Sequence, residues 1–161
     1  IRNPLEANKA LVWLTGSLYG HDMSNIYTIL PWFLITIPII ILLSYQLDVL
    51  NLGDAVATAL GLKVKTIKMI LLILAVILAG SAISVVGGIS FLGLIAPHIA
   101  RQLIGNKTLH VIIMSGLIGA ILLTFGDGLA RGIHPPLDIP VGVIIAIIGA
   151  PYFLILLRRM K

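Results

Sequence analysis

The chain has 161 residues, 59% hydrophobic and 11% charged, with a net charge of +5 and a mean hydropathy of +1.13. An average soluble domain carries about 25% charged residues, so a soluble globular domain is excluded and an all-α polytopic membrane bundle is predicted. The absence of cysteine excludes a thiolate metal site, a disulfide framework and a cysteine nucleophile, and basic residues confined to short clusters between apolar runs argue for membrane topology against a nucleic-acid surface.

Residues 1–25 are mixed, with Trp13, Gly16, Ser17, Tyr19, Gly20, His21 and Asp22. They predict an external segment, a short amphipathic helix and turn at a membrane surface. The start at Ile1, without a signal-peptide pattern, suggests a piece of a longer polypeptide. Residues 26–47 carry no charge and predict one crossing, with Pro31 and Pro38 tolerated because neighbouring helices can satisfy the freed backbone groups.

Charge returns with Asp48, Asp54, Lys63, Lys65 and Lys68, so residues 48–66 are expected to form a cytoplasmic loop. Within it, residues 51–61 predict a short alanine-rich helix, with Asp54 near its positive N-terminal end and Gly61 ending it. Such a smooth helix suits insertion into a groove on a soluble partner; an ordinary amphipathic interfacial helix is the other reading.

Residues 69–100 are uncharged and would make a helix of about 48 Å, too long for one upright crossing. Gly87-Gly88 supplies a break into two. Residues 108–126 and 139–157 provide two more uncharged runs, separated by Asp127, Arg131, His134, Pro135, Pro136 and Asp138. The expected count is about five crossings of ~20 residues each, in a single transmembrane domain over 1–161.

With five crossings, Lys63, Lys65, Lys68, Arg101, Lys107, Arg158, Arg159 and Lys161 share one side, and Arg2, Lys9 and Arg131 the other. Because short loops rich in Lys and Arg stay inside, the N-terminus is expected outside and the C-terminus in the cytoplasm. Small residues recur four apart at Gly80, Ser84 and Gly88, at Gly116 and Ala120, and at Gly142, Ala146 and Ala150, a spacing that lets membrane helices approach closely.

The apolar runs hold almost no ionisable group, whereas enzymes, pumps and ion-coupled carriers usually keep some at membrane depth. Asp127 and Arg131, four apart at a helix end, can pair as an interfacial anchor. His98 follows Pro97 and reads as a helix-end histidine bonded to local backbone. His98, His110 and His134 share no i,i+3 or i,i+4 spacing, so metal ligation is not expected.

The run Gly88-Ile89-Ser90-Phe91-Leu92-Gly93-Leu94-Ile95-Ala96-Pro97-His98-Ile99-Ala100-Arg101, followed by Gly105, resembles the signature of membrane permeases of ABC importers for ferric siderophores, haem and cobalamin. Three further segments match in order: Leu52-Gly53-Asp54 through Leu60-Gly61, Gly126-Asp127 through Ala130-Arg131, and Ile139-Pro140-Val141-Gly142 with Gly149-Ala150-Pro151-Tyr152-Phe153. Trp13 with Gly16-Ser17-Leu18 also fits.

The resemblance implies the C-terminal half of a permease subunit of roughly ten helices, paired as a homodimer or heterodimer in the cytoplasmic membrane. It implies cytoplasmic ABC ATPase partners that bind and hydrolyse ATP, so this chain is expected to be no enzyme and to hold no cofactor. An extracytoplasmic binding protein would deliver the metal chelate, with ferric siderophore first, haem second and cobalamin third. Gly53, Asp54, Ala57 and Gly61 would belong to the coupling helix, and Arg131 would receive the binding protein. Gly88, Phe91, Gly93, Pro97, His98, Arg101, Gly142 and Pro151 would be signature or packing positions. The rival reading is half of an ion-coupled secondary transporter, which needs an ion site on broken helices near the midplane; Pro97 and Pro151 could break helices, but no carboxylate accompanies them.

Overall fold

The computed structural model describes residues 14–18, 20, 22–133 and 140–159. Among them run helices α1 (Met23–Leu42), α2 (Ser44–Leu50), α3 (Asp54–Ala59), α4 (Val64–Val86), α5 (Leu92–Ile104), α6 (Thr108–Ile133) and α7 (Val141–Arg159), with no strand among the described residues. Helices α1, α4 and α6, of 20, 23 and 26 residues, reach about 30, 35 and 39 Å at 1.5 Å per residue, enough for ~30 Å of hydrocarbon. Their outward side chains are apolar: Leu34, Leu72 and Ile121 are each more than 60% exposed. Such surfaces over whole helices suit hydrocarbon or further protein, not water.

Two sets of long-range hydrogen bonds define the ends of the bundle. At one end the Ser17 N–H donates to the Val86 carbonyl (3.0 Å) and the Gly142 N–H to the Gly16 carbonyl (3.1 Å). At the other, the Thr108 N–H donates to Asp48 Oδ1 (2.9 Å). The chain therefore alternates between a Gly16 end and an Asp48 end: down α1, up α4, down through α5, up α6 and down α7. The predicted crossings fall on these passages.

Two of those passages differ from a simple helix. The first was expected as one span over 26–47, but α1 stops at Leu42 and the chain restarts as α2 after Leu43 (φ −87°, ψ 0°). Pro38 inside α1 removes one intrahelical donor, and the Ser44 hydroxyl bonds the Ile41 carbonyl at 2.6 Å, a local bond that competes with the helix ladder. Helix α2 thus belongs to the polar connection and lengthens it.

The third passage is a discontinuous span. Helix α4 ends at Gly87, whose φ of 80° and ψ of −168° lie in a region open essentially to glycine. Residues 87–90 carry no helix, and α5 starts after Phe91 and has only 13 residues, about 20 Å. Residues 87–91 make up the rest of the passage as non-helical chain that ends in a tight turn, where the Leu92 N–H donates to the Ser90 carbonyl at 2.8 Å. Irregular backbone at membrane depth is tolerated only where protein surrounds it, and Gly87 is buried while Gly88, Ile89 and Phe91 are half-buried.

Helix α5 packs most extensively on α6, α1 on α4, and α7 on α6 and α5, while α2 reaches across to α6. A cavity of about 990 Å³ lies between these groups, walled by Leu71 and Ala75 of α4, Pro97 and Arg101 of α5, and Val111 and Ile112 of α6.

In the three small-residue rows, Gly142 and Gly88 pack closely within the described residues, and Gly149, outside those rows, does so too. A Cβ on Gly142 would collide with the Thr15 carbonyl oxygen, and one on Gly149 would lie 2.7 Å from Phe91 Cβ. Gly80 and Gly116 meet open space on exposed faces.

Candidate functional site

The Asp48 end carries the densest polar arrangement. Helix α3 is short because its exit is a complete left-handed cap: Gly61 has φ 84°, its N–H bonds the Thr58 carbonyl (2.9 Å), and the Leu62 N–H bonds the Ala57 carbonyl (3.0 Å). This paired 5→2 and 6→1 pattern is the Schellman motif. Gly53, at φ 102°, turns the chain into α3. Asp54 at its first position accepts from Lys68 Nζ through both oxygens, at 2.7 and 2.6 Å. Both side chains are more than half exposed, so the pair contributes at most about 1 kcal/mol.

Ala57 is fully buried and faces the chain's own interior. The outward apolar side chains of this turn are instead Val56 and Leu60, 44% and 64% exposed, with Leu52 just before it. Sequence reading singled out the small residues; Val56 and Leu60 are four apart, a spacing that makes them neighbours on one helix surface.

Asp48, on α2, is a residue that sequence reading left in a generic loop. Its carboxylate accepts the backbone N–H of Thr108, the first residue of α6, across 60 positions. Asn51 reaches the Thr108 hydroxyl at 3.5 Å, a weak bond at best. Hydrogen bonds from the Thr108 side chain and backbone N–H hold the Asp48 carboxyl below its ordinary value of 3.8. The stabilisation by a depressed carboxylate is present above the ordinary value and lost as pH falls through the folded one, so the contact is fully formed at neutral pH.

At the Gly16 end, Arg131 Nε donates to Asp127 Oδ2 at 2.8 Å, the i,i+4 pair expected from spacing. Arg131 is 57% exposed and Asp127 24%, leaving the guanidinium presented outward. Gly126 just before the pair lets α6 approach α7, since a Cβ there would sit 3.2 Å from Val141 Cγ2. His134 and Asp138, expected nearby, lie outside the described residues, as do Trp13 and His21.

The signature segment joins the two ends. Gly88 backs onto the Leu14 carbonyl, where a Cβ would be 3.2 Å away. Phe91 adopts φ 64°, a left-handed backbone that costs a non-glycine residue about 1–2 kcal/mol, and its ring meets Phe153 at 6.5 Å. Gly93 meets open space. His98 departs from the expected backbone bond: its Nε2 is 2.8 Å from Gln102 Nε2 one turn on, and its ring meets Tyr152 edge-on at 6.1 Å. A side-chain partner at i+4 satisfies the imidazole without interrupting the helix ladder. Arg101 is exposed in the last turn of α5, where a cation suits the helix dipole. Pro151 lies exposed inside α7.

Polar side chains inside the spans bond their own helix. The buried Thr36 hydroxyl donates to the Trp32 carbonyl, Ser81 to Leu78 and Thr124 to Ala120. Among the described residues no three His, Asp or Glu side chains cluster as a metal site.

Residues 1–159 match the FecCD transport family. The chain is 49% identical over 158 residues to the Fe(3+)-citrate import system permease protein YfmE of Bacillus subtilis (strain 168), covering 98% of this chain and 47% of that protein. It is 44% identical to the Fe(3+) dicitrate transport system permease protein FecD of Escherichia coli (strain K12), over 100% of this chain and 51% of the relative. An inward-facing ABC transporter described as of metal-chelate type superposes with a TM-score of 0.89 at 28% identity, over 97% of this chain and 52% of that one. The chain spans about half the length of these relatives.

Proposed function

Because this chain belongs to the FecCD transport family, we propose that it is the C-terminal half of the permease subunit of an ATP-driven importer that carries an iron(III) chelate across the cytoplasmic membrane. The observation that carries this reading is the 49% identity with a ferric citrate permease over 98% of the chain. Ferric siderophores of the citrate class are accordingly the first substrates to test, ahead of haem and cobalamin.

In this reading the Asp48 end faces the cytoplasm. Lys63, Lys65, Lys68, Arg101 and Lys107 gather there, against Arg131 at the opposite end, as the positive-inside rule requires. Helix α3 is the coupling helix, offering Val56 and Leu60 to an ABC ATPase that binds and hydrolyses the ATP. Arg131 faces the extracytoplasmic binding protein. A second permease subunit completes the path for the chelate.

The test is uptake of radiolabelled ferric citrate into proteoliposomes holding the full-length permease, its ATPase and its binding protein. Uptake should require both ATP and the binding protein, and unlabelled ferric siderophore should compete better than haem or cobalamin. Uptake driven by an ion gradient without ATP would establish the secondary-transporter alternative instead.

A further inference from the structure

We propose that Asp48 is a positioning residue for coupling: it latches the α2–α3 element to the first residue of α6, so that displacement of α3 by the ATPase moves α6 as a strut ending at Arg131. The inference rests on the importer reading, and on a geometry that the reading does not require.

Helix α6 begins with four backbone N–H groups that have no intrahelical partner. The residue before it is Lys107, whose side chain is a donor and cannot cap it. The Thr108 N–H is taken instead by Asp48 Oδ1 at 2.9 Å, in a half-buried contact between residues 60 apart. A carboxylate on a helix N-terminal N–H is a charge-assisted bond aligned with the helix dipole. From that point α6 runs 26 residues without a proline, about 39 Å, and carries Asp127 and Arg131 in its far turns.

A second carboxylate of the same element, Asp54, holds Lys68 at the base of α4. The two attachments are unequal. Asp54 and Lys68 are more than half exposed and screened by water and salt, whereas Asp48 binds a fixed backbone group. Within this chain a cavity of about 990 Å³ separates Leu71 and Ala75 of α4 from Val111 and Ile112 of α6, so here α4 gives no direct contact to α6 along that stretch. Movement of α3 therefore reaches α6 through α2, by the Asp48 latch together with the packing of α2 on α6.

The experiment uses the full-length permease assembled with its ATPase and binding protein. Asp48→Ala should lower binding-protein-stimulated ATPase activity and uptake at least about fivefold, with basal ATPase within about twofold of wild type, the scale of a typical allosteric coupling. Asp48→Asn, whose amide oxygen can still accept, should keep most of both. Thr108→Pro deletes the donor N–H at a first helical position that suits proline, so it should match Asp48→Ala, and the double variant should be no worse than either single one. Equal loss of basal and stimulated activity in Asp48→Ala would make Asp48 an ordinary structural cap and overturn the proposal. If Asp48→Ala does not assemble, Thr108→Pro against Asp48→Asn decides, and equal stimulation of these two overturns it. Normal stimulation of Asp48→Ala in a transporter whose wild type needs ATP and the binding protein removes the latch alone. A wild type that needs neither removes the importer reading and the latch with it.

Discussion

At the scale of single residues, the consequences of a methyl group differ sharply between glycines of the same apparent stripe type. Gly142 is buried with its α-carbon against the Thr15 carbonyl, backbone that cannot swing away as a side chain would. Gly142→Ala should cost at least about 1–3 kcal/mol, the usual range for overpacking. Gly80→Ala meets nothing within this chain and, where that helix face meets only lipid in the complex, should stabilise by up to about 1 kcal/mol through helix propensity. Thermal unfolding of the purified complex should therefore shift in opposite directions for the two. Arg131 is the other residue with a sharp test. Arg131→Glu should weaken binding-protein docking and uptake while leaving expression and basal ATPase nearly unchanged, and the effect should shrink with salt. Reversal also sets two acids four apart, costing a few tenths of a kcal/mol, so Arg131→Gln is the control. Normal docking by both variants at low salt would leave Arg131 as a helix-end anchor.

Among the elements, α3 shows how a six-residue helix is made definite by its ends. Gly53 and Gly61 set its entry and exit by positive φ, Ala57 fixes its inner face, and Val56 and Leu60 are left outside. Leu60→Glu should abolish ATPase docking and uptake without lowering the yield of inserted permease, because the side chain changed is already in contact with solvent. Ala57→Leu, by contrast, should lower the yield itself, since the added volume enters a filled interior. If Leu60→Glu transports at the wild-type rate, the outer face of α3 does not meet the ATPase. The break before α5 is the second element-scale feature. The paired glycines marked where the long apolar run would divide, yet not that the second part would begin as non-helical chain, because that depends on surrounding protein to shield its backbone.

For the whole molecule, the bundle's two polar ends fix which loops share a compartment. Single cysteines introduced at Lys65 and Lys107 should resist a membrane-impermeant thiol reagent in intact cells, while one at Asp22 should react. The native chain has no cysteine, so each signal belongs to the introduced thiol. Labelling of position 107 from outside would mean that residues 69–100 cross once, which would also separate Thr108 from Asp48.

What the sequence determined by itself was local or additive. Uncharged runs long enough to match a bilayer, the Lys and Arg bias between their connections, the i,i+4 spacing of Asp127 and Arg131 and the helix-ending role of Gly61 each follow from neighbouring residues interacting with solvent, lipid or one another. The family motifs were legible for the same reason, as ordered short strings. The tertiary structure decided whatever required distant segments to meet. Only there does Asp48 find Thr108 and Asp54 find Lys68. Only there do Gly16, Gly88 and Gly142 bring three backbones together, Ala57 turn inward and Phe91 take a left-handed conformation against Gly149. A carboxylate in a polar loop looks the same whether it faces water or the N-terminus of a helix 60 residues away; what distinguishes the two is the position of an unpaired backbone N–H, and that position exists only once the bundle has assembled.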